Sequence, residues 1–214
     1  MEYYFMTRVP GLKGAVTLAD FPNVDGQTPW PDDMIAHVTW TDGQKWNVRD
    51  LCEIKAGTAT EFTEDDLPQD CPENASPFFF LYPEKLPAAL DQLIVSPIMT
   101  TSPGWRGNLK VMGKTTSASY QGEYPSFMVK IHQGTLLSFA TFVQNTDKVK
   151  TQFVLPNLRQ DPAVEDCVVR FLGSKSKTVF KDITVKRNHT TVVDVSAPIP
   201  HMKQHFADMK SRFC

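Results

Sequence analysis

A chain of 214 residues, 41% hydrophobic and 21% charged, carries enough apolar surface for a full core, which excludes wholesale disorder. Its longest apolar runs, Phe78 to Tyr82 and Leu136 to Val143, fall far short of the roughly 20 residues of a spanning helix, and Met1 to Pro10 lacks the regions of a secretion signal, so a cytoplasmic chain that meets no membrane is expected. The net charge of −2 conceals a division: residues 1–100 hold 6 Lys and Arg against 16 Asp and Glu, and residues 101–214 hold 16 against 8, so the two halves are expected to neutralise each other within one fold.

The first clear element is a hairpin, with His37 to Thr41 and Gln44 to Val48 flanking Asp42-Gly43. Asp-Gly suits the positive φ angles of a type I′ turn, and the register is expected to let Trp40 and Trp46 meet across the strands. Glu61 to Glu73 follows with six carboxylates, interrupted by Pro68 and Pro72. It reads as a solvated loop without the regular oxygen spacing and turn glycine of a calcium site. Phe78 to Tyr82 is expected to be a core strand, and Leu86 to Leu93 a brief helix with Pro87 in its first turn.

From there the chain reads as short strands near residues 92–96, 107–112, 115–120, 127–131, 135–144, 150–155, 165–171, 177–186 and 190–196, broken by Gly, Pro, Asn and Asp. Asn188-His189 supplies a turn that is expected to join the last two as a hairpin. After Pro198 and Pro200, residues 201–214 carry Met202, Phe206, Met209 and Phe213 at helical spacing, which predicts a short C-terminal helix.

Strand density without helical periods predicts an all-β chain, an antiparallel β-sandwich of immunoglobulin-like or jelly-roll topology. The organisation expected is one compact domain over 1–214, with an acidic, irregular part at 1–91 packed on a strand-rich part at 92–200 and the helix at 201–214. Cys52, Cys71, Cys167 and Cys214 form no C-x-x-C pair, so zinc-ribbon and thioredoxin chemistry fail on spacing. Reduced thiols are expected. A Cys52–Cys71 bond is conceivable, but a cytoplasmic address opposes it.

Local catalytic signatures fail one by one. Gly107 to Thr115 spaces its glycines wrongly for a phosphate loop and reads as strand, a turn at Gly113, then strand. No Ser occupies a G-x-S-x-G elbow, and Cys167 lies in the apolar run Cys167-Val168-Val169, where an inert thiol is expected. His201 and His205 stand one helical turn apart and could offer two imidazoles to a metal, but the residue after the first is Met202 rather than a general-base Glu. Lys110, Lys114, Lys175, Lys177, Lys181, Lys186 and Arg187 lack interleaved aromatics and read as a wet strand face, which disfavours nucleic acid.

The segment richest in recognition chemistry is Trp105-Arg106 with Tyr120-Gln121-Gly122-Glu123-Tyr124. Aromatic faces stack on sugars, while amide and carboxylate groups fix hydroxyls. The leading expectation is a non-enzymatic module that binds a carbohydrate or other small polar ligand through Trp105, Arg106, Tyr120, Gln121, Glu123 and Tyr124, without cofactor or metal. One alternative is a structural or assembly subunit, a homo-oligomer or protein complex associating through the C-terminal helix. Another is a metal-dependent hydrolase using His201 and His205.

Overall fold

Runs rich in β-branched and aromatic residues pair as strands along most of the chain. The computed structural model describes residues 1–20, 33–95, 105–122, 124–130, 151–172 and 179–194. In chain order the strands are β1 (Glu2–Phe5), β2 (Lys13–Asp20), β3 (Met34–Thr41), β4 (Trp46–Ile54), β5 (Ala59–Thr63), β6 (Phe78–Tyr82), β7 (Ala89–Leu90), β8 (Trp105–Met112), β9 (Ser117–Gln121), β10 (Tyr124–Pro125), β11 (Gln152–Asn157), β12 (Asp166–Leu172), β13 (Val179–Lys186) and β14 (His189–Asp194). They form a six-stranded sheet, order β10-β1-β6-β3-β4-β7, a four-stranded sheet, order β5-β2-β8-β9, and two ladders, β11-β14 and β12-β13. Every pairing among the described residues is antiparallel, and the protein is mostly β.

β3 sits inside the six-stranded sheet and is covered on both faces. Residues opposite each other in neighbouring strands share a face. His37, Thr39 and Thr41 therefore share one with Asp50, Val48 and Trp46 of β4 and with Phe80 and Phe78 of β6. Segments 93–94 and 158–162 close over this face. Trp46 Nε1 donates to Gln160 O at 2.9 Å, Thr41 Oγ1 to Pro162 O at 2.9 Å, and Tyr3 OH to Ile94 O at 2.8 Å. The other face, with Val38, Trp40 and Phe79, meets the four-stranded sheet, where Phe62 stacks on Phe79 with ring centroids 5.8 Å apart. Val16, Leu18, Phe62 and Leu109 join the same buried cluster, so the two sheets share one core.

That contact explains Gly107. A Cβ there would lie 2.1 Å from a Tyr4 ring carbon, so the ring of one sheet rests directly on the backbone of the other.

Several expectations are corrected. The described residues among 1–91 are not irregular; they supply β1 to β7. Trp40 and Trp46 point to opposite faces, because Trp40 is in register with Asn47 and Trp46 with Thr41. The turn between them is the longer loop Asp42 to Lys45, in which Gly43 takes φ +93° and Asp42 Oδ1 accepts from Gln44 N at 2.8 Å and Lys45 N at 3.0 Å. Trp40 is instead covered by the Arg49 guanidinium, 5.6 Å from its ring centroid.

Leu86 to Leu93 forms no helix. The edge of β4 captures this stretch as β7, and Ala88 O accepts from Val48 N at 2.9 Å, so strand pairing overrides local propensity. Of the strand expected near 92–96, residues 92–95 are not extended into a sheet; Leu93 N bonds Gln160 O at 3.0 Å instead. Ser126–Lys130 is a 3-10 turn rather than a strand, buried through Ser126 and Val129. The expected strand at 135–144 and helix at 201–214 lie outside the described residues.

The last two strands do not form a hairpin. β13 pairs with β12 and β14 with β11, and the chain passes from one ladder to the other at Asn188. Asn188 is buried at φ +59°; its Nδ2 donates to Asp161 O at 2.7 Å and its Oδ1 accepts from Arg159 N at 2.7 Å. This anchoring turns the chain away from β13. The two ladders pack around Val193 with Phe153, Leu155, Val169 and Ile183.

Candidate functional site

The acidic segment is resolved into structure. It begins as β5 and continues as a 3-10 turn, Glu64–Asp66, in which Thr63 and Asp66 form a capping box. Glu64 pairs with Arg8 at 3.5 Å and Asp70 with Arg49. Among the described residues no group of three His, Cys, Asp or Glu is placed to hold a metal ion. Only Lys110–Glu61, at 3.1 Å, links the acidic half to the basic one among the described pairs; Arg8–Glu64, Arg49–Asp70, Arg170–Asp182 and Arg187–Glu165 each stay within one half.

Cys52, Cys71 and Cys167 are free thiols, and burial pushes the Cys52 and Cys71 thiols up, away from the reactive thiolate. Among the described residues no helix is long and apolar enough to cross a membrane.

The predicted recognition segment is divided between two sheets. Trp105 and Arg106 open β8, in register with Asp20 and Ala19. Tyr120 and Gln121 end β9, whereas Tyr124 lies in β10, opposite Tyr3. Glu123 lies outside the described residues, as do His201 and His205. Each tyrosine has a structural task. Tyr120, 40% exposed, is in register with core Leu109 and shares a 2.8 Å hydrogen bond with Thr7 Oγ1. Tyr124 OH donates to Leu158 O at 3.1 Å, and burial raises its pKa despite nearby Arg159.

Gln121 faces the other way. The register Glu61–Thr17–Asn108–Gln121 lays four polar side chains across the outer face of the four-stranded sheet, one per strand. Thr17, Ala19, Gly107, Asn108 and Gln121 line an open groove of about 370 Å³. Small Ala19 keeps the floor low, and the Lys110–Glu61 pair spans β2 beside it, with Thr17 Oγ1 donating to Glu61 Oε2 at 3.4 Å. The groove can present hydroxyl, amide and carboxylate groups to a polar ligand. Thr17 and Asn108 were not singled out from sequence; the available signal was the alternation of Val16 and Leu18 with Thr17 and Ala19 in β2, which marks a strand with one wet face.

A second polar cluster lies inside the six-stranded sheet. The His37 side chain is wholly buried, its ring stacked on Phe80 with centroids 5.0 Å apart. Asp50 Oδ1 stands 3.0 Å from His37 Nδ1, off the line of a good hydrogen bond. Leu51 is the extra residue of a β-bulge at this point, since Ala36 opposes Cys52 and His37 opposes Asp50. Burial pulls the imidazole pKa below its ordinary value, against the opposing pull of Asp50.

No family model matches the chain, and neither a curated protein nor a solved structure matches it.

Proposed function

We propose that the chain is a non-enzymatic β-sandwich module that takes a small polar ligand, with carbohydrate as the leading class, on the outer face of the four-stranded sheet. The observation that supports this reading is the row Thr17, Asn108 and Gln121 along an open groove, with donors and acceptors spaced one strand apart. Strand neighbours lie about 4.8 Å apart, a spacing that suits successive hydroxyls of a sugar ring or chain. Gln121 stays from the segment first marked by sequence, while Tyr120 and Tyr124 become supports of the sheet ends. The sandwich reading itself is supported by the core common to the two sheets.

The test is a thermal-shift and NMR screen of mono- and oligosaccharides and other polar metabolites against the wild-type chain and Asn108→Ala/Gln121→Ala. A ligand that shifts resonances of β2, β8 and β9, and no longer binds the double variant while its melting temperature holds, supports the site. A ligand bound equally by both proteins places recognition elsewhere.

A further inference from the structure

The connection between β6 and β7 has to cross the six-stranded sheet. β6 ends at Tyr82 beside Ile35 of β3, and β7 lies on the far side of β4, its pairing extended by Val48 N donating to Ala88 O at 2.9 Å. Tyr82 and Ala88 are therefore three strand spacings apart across the sheet and four residues apart along it, a distance of about 20 Å. The chain between them reaches at most about 22 Å when fully extended, too short for a detour around the end of the sheet. Residues 83–88 thus run as a near-taut strap, diagonally over β3 and β4. The face they cross is that of His37 and Asp50: the carbonyls of Tyr82 and Glu84 lie at the imidazole, the Tyr82 ring meets it edge-on at 6.5 Å, and Leu86 packs on the core.

Beneath the strap lies a group that resists charge. The His37 side chain has no exposure, and neither ring nitrogen makes a well-formed hydrogen bond, although Asp50 Oδ1 stands 3.0 Å from Nδ1. The other titratable or charged groups about the ring, among the described residues, are Tyr82 on β6, Tyr3 on β1 behind Phe80, and Glu84 and Lys85 on the strap, both exposed. Burial opposes the charged ring more than Asp50 and the two carbonyls favour it. The strap is exposed at Glu84, Lys85, Pro87 and Ala88. Its far end is held by the two residues of β7, with Val48 N and Arg49 Nη1 both donating to Ala88 O.

We propose that residues 83–88 are an acid-released strap: protonation of His37 lifts it, and β7 with it, off β4 while β1, β3, β4 and β6 stay paired. A proton favours whichever form lets the ring meet water, and lifting the strap is the smallest rearrangement that does so. Because the strap has little slack, its middle cannot rise without drawing Ala88 and β7 from the edge of β4. The strap lies on the six-stranded sheet and the polar groove on the four-stranded one, and neither requires the other.

Amide exchange followed by NMR, corrected for the intrinsic effect of pH, reads the opening at Val48 N–H. Between pH 7.5 and 5, the exposure of Val48 should grow as pH falls below about 6.5, by up to about tenfold per pH unit, while amides of the β3–β6 ladder hold their protection. His37→Phe should keep Val48 protected throughout. Asp50→Asn removes the carboxylate that favours the charged ring, so its opening should begin at lower pH, and this variant decides the matter if His37→Phe does not fold. Val48 protection that ignores pH in the wild type, falls together with the β3–β6 amides, keeps its acid response in His37→Phe, or keeps the wild-type midpoint in Asp50→Asn overturns the inference.

Discussion

β3 and β9 are both antiparallel and both mix small, hydroxyl and aromatic residues, yet seven of the eight β3 residues are buried and all five of β9 are exposed. Composition accounts for part of this, since β3 carries Met34, Ile35, Val38 and Trp40 where β9 has no aliphatic side chain larger than Ala118. Place accounts for the rest: β3 has a hydrogen-bonded neighbour on each side and a packed layer on each face, whereas β9 belongs to the sheet whose outer surface carries the polar groove. A Thr inside such a strand costs little when a neighbour supplies the partner, as Asn47 O does by accepting from Thr39 Oγ1 at 2.8 Å.

The sharpest way to break this contrast is to empty the interior side. Trp46→Ala removes a buried ring that meets Phe78 edge-on at 6.4 Å and bonds Gln160, so urea unfolding should lose about 3–5 kcal/mol. A loss under about 1 kcal/mol would mean that segments 93–94 and 158–162 do not close that face. Next in size is Gly107→Val, which drives a side chain into Tyr4 and should cost about 1–3 kcal/mol. Tyr4→Ala in the same chain should recover part of that loss in a double-mutant cycle, and strict additivity would deny the contact.

His37 sharpens the comparison through pH. Its folded pKa lies below the unfolded value of about 6.5, so the unfolded chain binds the proton first. Stability from keeping this ring neutral is therefore full above about pH 6.5 and falls as pH drops below it, by at most about 1.4 kcal/mol per pH unit for one proton. Denaturant titrations of wild type and His37→Phe between pH 7.5 and 5 should show the slope in the first and a shallower one in the second. Parallel curves would show that other groups set the acid response. The smallest effect belongs to the wet face: Asn108→Ala should change stability by no more than about 0.5 kcal/mol, and a larger loss would make the groove a structural seam.

Phe78 to Tyr82 was legible because five consecutive large apolar residues have nowhere to go but a strand buried on both faces. The β8–β9 turn was legible for a local reason as well, with Gly113 N bonding Thr116 O at 2.7 Å. The misreadings have non-local causes. Pro87 suits a first helical turn, but the waiting edge of β4 decides the matter from forty residues away in sequence. Asn188 looks like any hairpin turn until its amide is seen to hold Asp161 and Arg159. The site shows the same limit: Gln121 could be marked by its neighbours in sequence, but Thr17 and Asn108 join it only through register, which a single strand does not encode.

The nesting of the last two ladders bears on how the chain folds. β12 and β13 are near neighbours in sequence, and their pairing lies wholly inside the segment that β11 and β14 must bring together. Once the inner pair has zipped as far as Asp166 opposite Lys186, the loop that the outer pair closes shrinks from residues 158–188 to the short arms 158–165 and 187–188. Each halving of a flexible loop spares about 0.6 kcal/mol of closure entropy, so the inner ladder lowers the barrier for the outer one. Asn188, standing where the two meet, acts as the latch that ends this sequence rather than the turn that begins it.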